Sequence, residues 1–229
     1  MNRDEVWRAI DDERLGLANV LDDLTPREWE VPSLCAGWRV RDVAAHLTLS
    51  HMGLLPAAFA TLRARGNVNR MIHDTAVRQA KLPVDQYAVL LRGMVGSRRT
   101  APGVTYLEPL IDVLVHGQDI VIPLARSRPM PTEAAATAVT RVWSMRWPFR
   151  PERKLRGLRL VATDNPWSAG QGPQVEGPIS AILLLITGRS AALPRLSGPG
   201  VPELEARLST SRASRSSTPR RGEMSDRHD

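Results

Sequence analysis

The chain has 229 residues, of which 42% are hydrophobic, and its 31 basic and 24 acidic side chains give a formal net charge of +7. That length sustains a core without disulfides, and the single Cys35 has no internal partner, which fits a reducing, cytoplasmic setting. The N-terminal stretch mixes acids and bases and does not read as an export signal, while the longest apolar run, 179–186, falls well short of the roughly 20 residues needed to cross a bilayer.

The basic excess is not read as a nucleic-acid footprint. Among the basic residues only Lys81 and Lys154 are lysine, a bias that high-GC coding produces by itself, and Ser209 to Asp229 holds five arginines against three acids. Arg141 to Arg159 does interleave arginines with Trp143, Trp147 and Phe149, which can track a phosphate backbone. The preferred reading has those aromatics packed at a domain junction with the arginines in water.

In chain order, residues 4–24 carry Val6, Trp7, Ile10, Leu17, Val20, Leu21 and Leu24 at helical spacing, ended by Thr25-Pro26. Glu28 to Gly37 reads as a loop with apolar anchors. A second helix is expected from Arg39 to Arg65, kinked at Pro56 and closed by Gly66. Helical pieces follow at Asn67–Lys81 and Val84–Val95, then at Thr105–Leu124 and Thr132–Trp147. Short connections between helices favour an antiparallel bundle over residues 1–148.

After Pro148 the pattern changes. Leu155–Thr163 reads as a strand, Asn165–Gly177 as turns around a short second strand at Val175, and Pro178–Ile186 as a helix capped at Gly188. Residues 193–208 add a strand and a helix. A small α+β domain over 149–208 therefore docks on the bundle, and the polar stretch 209–229 is expected to be disordered. The fold class is mainly α, a helical bundle with a small C-terminal α+β domain.

Asp112 and His116 lie one turn apart on an apolar helix, and Asp119 continues their face. Burying such a ladder is costly unless a cation compensates it. His46, among Val43, Ala44, Ala45 and Leu47, offers a further ligand from a facing helix, giving a two-histidine, one-carboxylate set with open positions. Asp42 or Asp119 would accept the second ring N–H of a ligating histidine. Spacing alone also accommodates hydrogen-bonded core histidines. His51, His73 and His228 are left out, since they point elsewhere or lie in polar segments.

Trp29-x-x-Pro32-Ser33-Leu34-Cys35-x-Gly37-Trp38-x-Val40-Arg41-Asp42-Val43-x-x-His46-Leu47 resembles the N-terminal signature of the mycothiol-dependent maleylpyruvate isomerase family, part of the DinB-like metal-binding superfamily. Asp112-x-x-x-His116-Gly117-Gln118-Asp119 is similar to its second metal motif. Thr163-Asp164 to Trp167, Val175-Glu176-Gly177-Pro178 and Leu183 to Arg189 resemble its C-terminal domain. The resemblance runs from about residue 5 to 208. It departs at Asp112, where glutamate is usual, and at Arg39, where a small hydroxyl residue often caps the helix.

The resemblance implies a DinB-like bundle in which His46, Asp112 and His116 bind a divalent metal, with zinc favoured over nickel, iron or manganese. It implies mycothiol, the low-molecular-weight thiol of actinobacteria, as thiol cofactor. A free thiol with a pKa of about 8.5 is mostly protonated at neutral pH, whereas a metal-bound one is deprotonated. The thiolate would attack a small electrophile in an isomerase or transferase reaction, with Arg189 holding a substrate carboxylate or developing negative charge. Without the resemblance, Arg189 reads as a helix-end arginine on the last carbonyls. The alternative function is a non-catalytic metal-binding module on the same scaffold.

Overall fold

The computed structural model describes residues 1–49, 82–100, 104–146 and 148–216. Helix α1 (Arg3–Asp22) starts at a capping box in which Asn2 and Glu5 satisfy each other's backbone N–H at 2.9 and 2.7 Å. A 3-10 turn (Glu28–Glu30) and an irregular loop lead to α2 (Val40–Leu49). The remainder of the expected Arg39–Arg65 helix, the Asn67–Lys81 piece, His51 and His73 lie outside the described residues.

Three helices follow: α3 (Asp85–Gly93), α4 (Leu107–Val121) and α5 (Thr132–Trp143). Helix α4 opens where Glu108 accepts the backbone N–H of Thr105 at 2.7 Å, and the same carboxylate takes Arg141 of α5 at 2.5 Å. Helix α5 stops at Trp143, short of the expected Trp147, with Ser144 as its C-cap. Helix α1 packs against α3 and α4, and α2 packs against α4.

The C-terminal module begins with a single turn, α6 (Pro151–Lys154). Strand β1 (Arg159–Ala162) is shorter than the Leu155–Thr163 expected, and the following stretch holds two strands in place of one, β2 (Ser168–Gly170) and β3 (Gln174–Gly177). The sheet order is β2-β1-β3, with β1 antiparallel to β2 and parallel to β3. Then come α7 (Ile179–Ile186), a 3-10 segment (Ser190–Arg195) and α8 (Val201–Ser216). The strand expected near 193 reduces to a bridge between Ser197 and Glu176.

Helix α8 runs through to Ser216, into the stretch 209–229 that the sequence reads as a polar tail. A Glu203–Arg207 pair one turn apart and the hydroxyls of Ser209 and Thr210 on the carbonyls of Glu205 and Ala206 supply local partners that an apolar count misses. Residues 217–229 are outside the described set.

A single hydrophobic core joins bundle and module. Val6, Trp7 and Ile10 of α1, Leu110 and Leu114 of α4, and Ala138 and Val142 of α5 share it with Leu160, Val175, Ile182 and Leu183. At roughly 1.5–3 kcal/mol for each large apolar side chain buried, this shared surface fixes the module on the bundle. Trp143 and Trp167 meet edge to face at 5.9 Å on that seam. A second core gathers Leu17, Trp29, Trp38, Val43, Tyr87 and Leu91 around α1, α2 and α3. No helix among the described residues is long and apolar enough to cross a membrane.

Candidate metal centre

The loop before α2 is a compact frame. The Ser33 hydroxyl donates to the Trp38 carbonyl at 2.9 Å, the Trp38 N–H bonds the Cys35 carbonyl, and Gly37 turns the chain at φ 81°, a conformation that L side chains resist. Leu34 donates its N–H to the Asp119 carbonyl at 3.2 Å, which seats this loop on α4. Trp38 then lies against His46, with ring centroids 5.3 Å apart.

His46 on α2 and Asp112 and His116 on α4 come together. Each histidine Nε2 lies 3.4 Å from Asp112 Oδ1, and the two imidazoles meet edge to face at 4.9 Å. All three donor atoms lie within 4.8 Å of one another. A tetrahedral ion with bonds of about 2.1 Å separates its ligand atoms by about 3.4 Å, so both nitrogen-to-carboxylate distances suit a shared cation. One fewer methylene at Asp112 than at the usual glutamate still brings its oxygen within that spacing. Burial pushes the Asp112 carboxyl up, yet the two imidazoles and Arg14 outweigh it and leave it below its ordinary value.

Asp119 fixes the orientation of His116. Its side chain is 0% exposed, and Oδ2 lies 2.8 Å from His116 Nδ1. With that nitrogen donating, the Nε2 lone pair is turned toward Asp112 and His46. Arg189 closes on the same carboxylate, Nε to Oδ1 at 3.0 Å and Nη2 to Oδ2 at 2.6 Å, while its Nη1 donates to the Thr187 carbonyl at 2.7 Å. Burial alone would raise the Asp119 carboxyl; His116 and Arg189 overcome it and hold it well below the usual carboxylate range.

Cys35 completes this cluster and is a member that sequence reasoning missed. Its thiol donates to Asp119 Oδ2 at 3.1 Å and lies 3.6 Å from both His116 Nδ1 and Arg189 Nη2. Burial and the neighbouring Asp119 charge push the thiol pKa up against the opposing pull of Arg189, a net shift that favours the protonated thiol. Cys35, His116 and Asp119 also have ligand-like spacing, but the Arg189 guanidinium already supplies the cation there. The available signal was its place inside the first motif.

Asp42 does not reach a histidine ring as anticipated. It accepts the Arg39 backbone N–H at 2.8 Å and the Arg39 side chain at 3.1 Å, so it caps the start of α2. A helix start leaves backbone donors in need of acceptors, and the third residue of the helix is placed to reach back to them. Arg39, standing where a hydroxyl is usual, adds its guanidinium to that cap.

Behind α4, Glu13 and Arg128 form a buried ion pair at 2.7 Å. Arg128 lies across Gly117, where a Cβ would stand 2.9 Å from its Nη1. The glycine after His116 thus admits an arginine against the backbone of the helix that carries two of the three donors.

Fold and site together define a DinB-like helical bundle with a small α+β module and a two-histidine, one-carboxylate pocket. Residues 10–75 match the family described as Mycothiol maleylpyruvate isomerase N-terminal domain. Two crystal structures of the mycothiol-dependent maleylpyruvate isomerase, one of them a histidine-to-alanine mutant, share the fold. Each has a TM-score of 0.62 over 87% of this chain and 93% of its own, at 15% and, for the mutant, 14% identity. No curated protein matches the sequence.

Proposed function

We propose that the protein is a metal-dependent, mycothiol-using isomerase or thiol transferase acting on a small electrophile. The observation that carries this reading is the set of 3.4 Å separations joining His46 Nε2, Asp112 Oδ1 and His116 Nε2, backed by the Asp119 contact behind His116. The domain family of residues 10–75 and the shared fold support mycothiol as the thiol.

His46, Asp112 and His116 would hold a divalent ion, with zinc favoured by two imidazoles and one carboxylate. When bound there, such an ion supplies a Lewis-acid site that keeps a thiol deprotonated at neutral pH. Asp119 keeps His116 in the tautomer that presents Nε2. Arg189 locks Asp119 and brings positive charge beside the pocket, where it stabilises negative charge developing on the substrate. Trp38 packs against the ring of His46, with 5.3 Å between centroids. The Cys35 thiol is engaged with Asp119.

Elemental analysis of the His46→Ala and His116→Ala proteins tests the ligand set, with metal content expected to fall to background. Titrating mycothiol into cobalt-substituted protein separates enzyme from inert metal module. A thiolate-to-cobalt absorption band supports the enzyme, and its absence favours a module without thiol chemistry.

A further inference from the structure

The Cys35 thiol has no part in the metal reading, yet it reaches the carboxylate behind His116. Four donors converge on Asp119: Arg189 Nε on Oδ1 at 3.0 Å, and Arg189 Nη2, His116 Nδ1 and Cys35 Sγ on Oδ2 at 2.6, 2.8 and 3.1 Å. A carboxylate offers about four acceptor sites, so the thiol takes the last of them. The same sulfur stands 3.6 Å from both Arg189 Nη2 and His116 Nδ1.

The thiol is carried on a fixed backbone. The Cys35 N–H donates to Ser33 Oγ at 3.2 Å, its carbonyl accepts the Trp38 N–H at 2.9 Å, and Leu34 donates to the Asp119 carbonyl at 3.2 Å. One loop therefore reaches both imidazoles, with Cys35 at the Asp119–His116 contact and Trp38 against the ring of His46. The aspartate χ2 torsion is broad, so contacts decide where Oδ2 lies. Arg189 is the closest donor to that oxygen and carries a charge, which draws a carboxylate more strongly than a ring N–H does. A donor on the loop fixes Oδ2 against that pull.

We propose that Cys35 is a positioning residue for the metal centre: its S–H, as the last donor to Asp119, keeps Oδ2 on His116 Nδ1 and so keeps Nε2 turned toward Asp112 and His46. This rests on the reading of His46, Asp112 and His116 as metal ligands.

The test compares three variants of the full-length protein. Cys35→Ser keeps a donor on a smaller side chain, whereas Cys35→Ala and Cys35→Val remove it, the valine without loss of volume. Long-range proton–nitrogen spectra of isotope-labelled histidine report the tautomers in metal-free protein, with the His116 signal identified by its absence from His116→Gln. The parent and Cys35→Ser are expected to show a single His116 tautomer, protonated at Nδ1, and the other two a mixture. Chelator competition should find cobalt held about tenfold less tightly by Cys35→Ala and Cys35→Val, the low end for losing a partner behind a metal-bound histidine. Circular dichroism reports folding, and either donor-less variant suffices. A His116 tautomer or a cobalt affinity that stays at the parent's value without the donor overturns the proposal. So does the reverse order, with Cys35→Val like the parent and Cys35→Ser impaired, which marks a packing role. A parent that binds no cobalt overturns instead the metal reading, and the tautomer comparison, made without metal, still decides the role of Cys35.

Discussion

Asp119 and Arg189 form a two-point fork across the seam between helical bundle and C-terminal module, with Nε on Oδ1 at 3.0 Å and Nη2 on Oδ2 at 2.6 Å. The same carboxylate orients His116 from the other side. One buried aspartate thus ties the α4 donor to a residue seventy positions later in the chain.

Asp119→Asn keeps the shape and removes the charge. Arg189 is left buried without its counter-ion, a change that costs about 3–5 kcal/mol. His116 loses the acceptor that sets its tautomer, and metal affinity is expected to fall about 10–100-fold. Urea unfolding of metal-free protein and competition with a chelator measure the two effects separately.

The pH dependence of stability follows from the same group. The folded carboxyl of Asp119 is depressed below its unfolded value of about 3.9. Its contribution is therefore complete above that unfolded value and is lost as pH falls through the folded one. The stability gap between parent and Asp119→Asn should hold steady from about pH 8 to pH 5 and narrow below about pH 4. A gap that widens toward acid would contradict the depressed carboxyl.

Asp112→Asn should empty the pocket, since an amide is a poor ligand for a divalent cation and leaves two neutral imidazoles alone. Asp112→Glu restores the longer side chain and is expected to hold metal within about tenfold of the parent, the two carboxylates being the same type of ligand. Isothermal titration with zinc or cobalt gives both numbers.

Arg128→Met removes one half of the buried pair with Glu13 and should destabilise by about 3–5 kcal/mol. Adding Glu13→Gln to it should recover a large part of that loss, because the stranded charge disappears. Thermal unfolding of the single and double variants provides the comparison.

Much of the bundle was legible because its helices are periodic. Val6, Ile10, Leu17 and Leu21 mark one face of α1, and Leu110, Leu114 and Val121 mark α4. His116 and Asp119 were legible as neighbours because three residues along a helix return to the same face. Asp42 misled, since an acid one turn before a histidine is equally placed to reach back to a helix start, and Arg39 decides the matter. The meeting of Cys35, Asp119 and Arg189 depends on how the loop before α2 and the end of α7 dock on α4, which no local spacing encodes. The strands were blurred for a different reason. Gly170, Gly172 and Gly177 mark turns around short β2 and β3 and leave little alternation to read.

The core shared by bundle and module bears on how such chains can be shortened or recombined. A chain ending near 148 would lose Leu160, Val175, Ile182 and Leu183 from the surface that also holds Leu110 and Leu114, and would leave Asp119 without Arg189. The helical half thus relies on the module for part of its core and for the partner of Asp119. Any replacement module grafted onto it must arrive with a guanidinium in register with α4, or the imidazole of His116 loses its bearing.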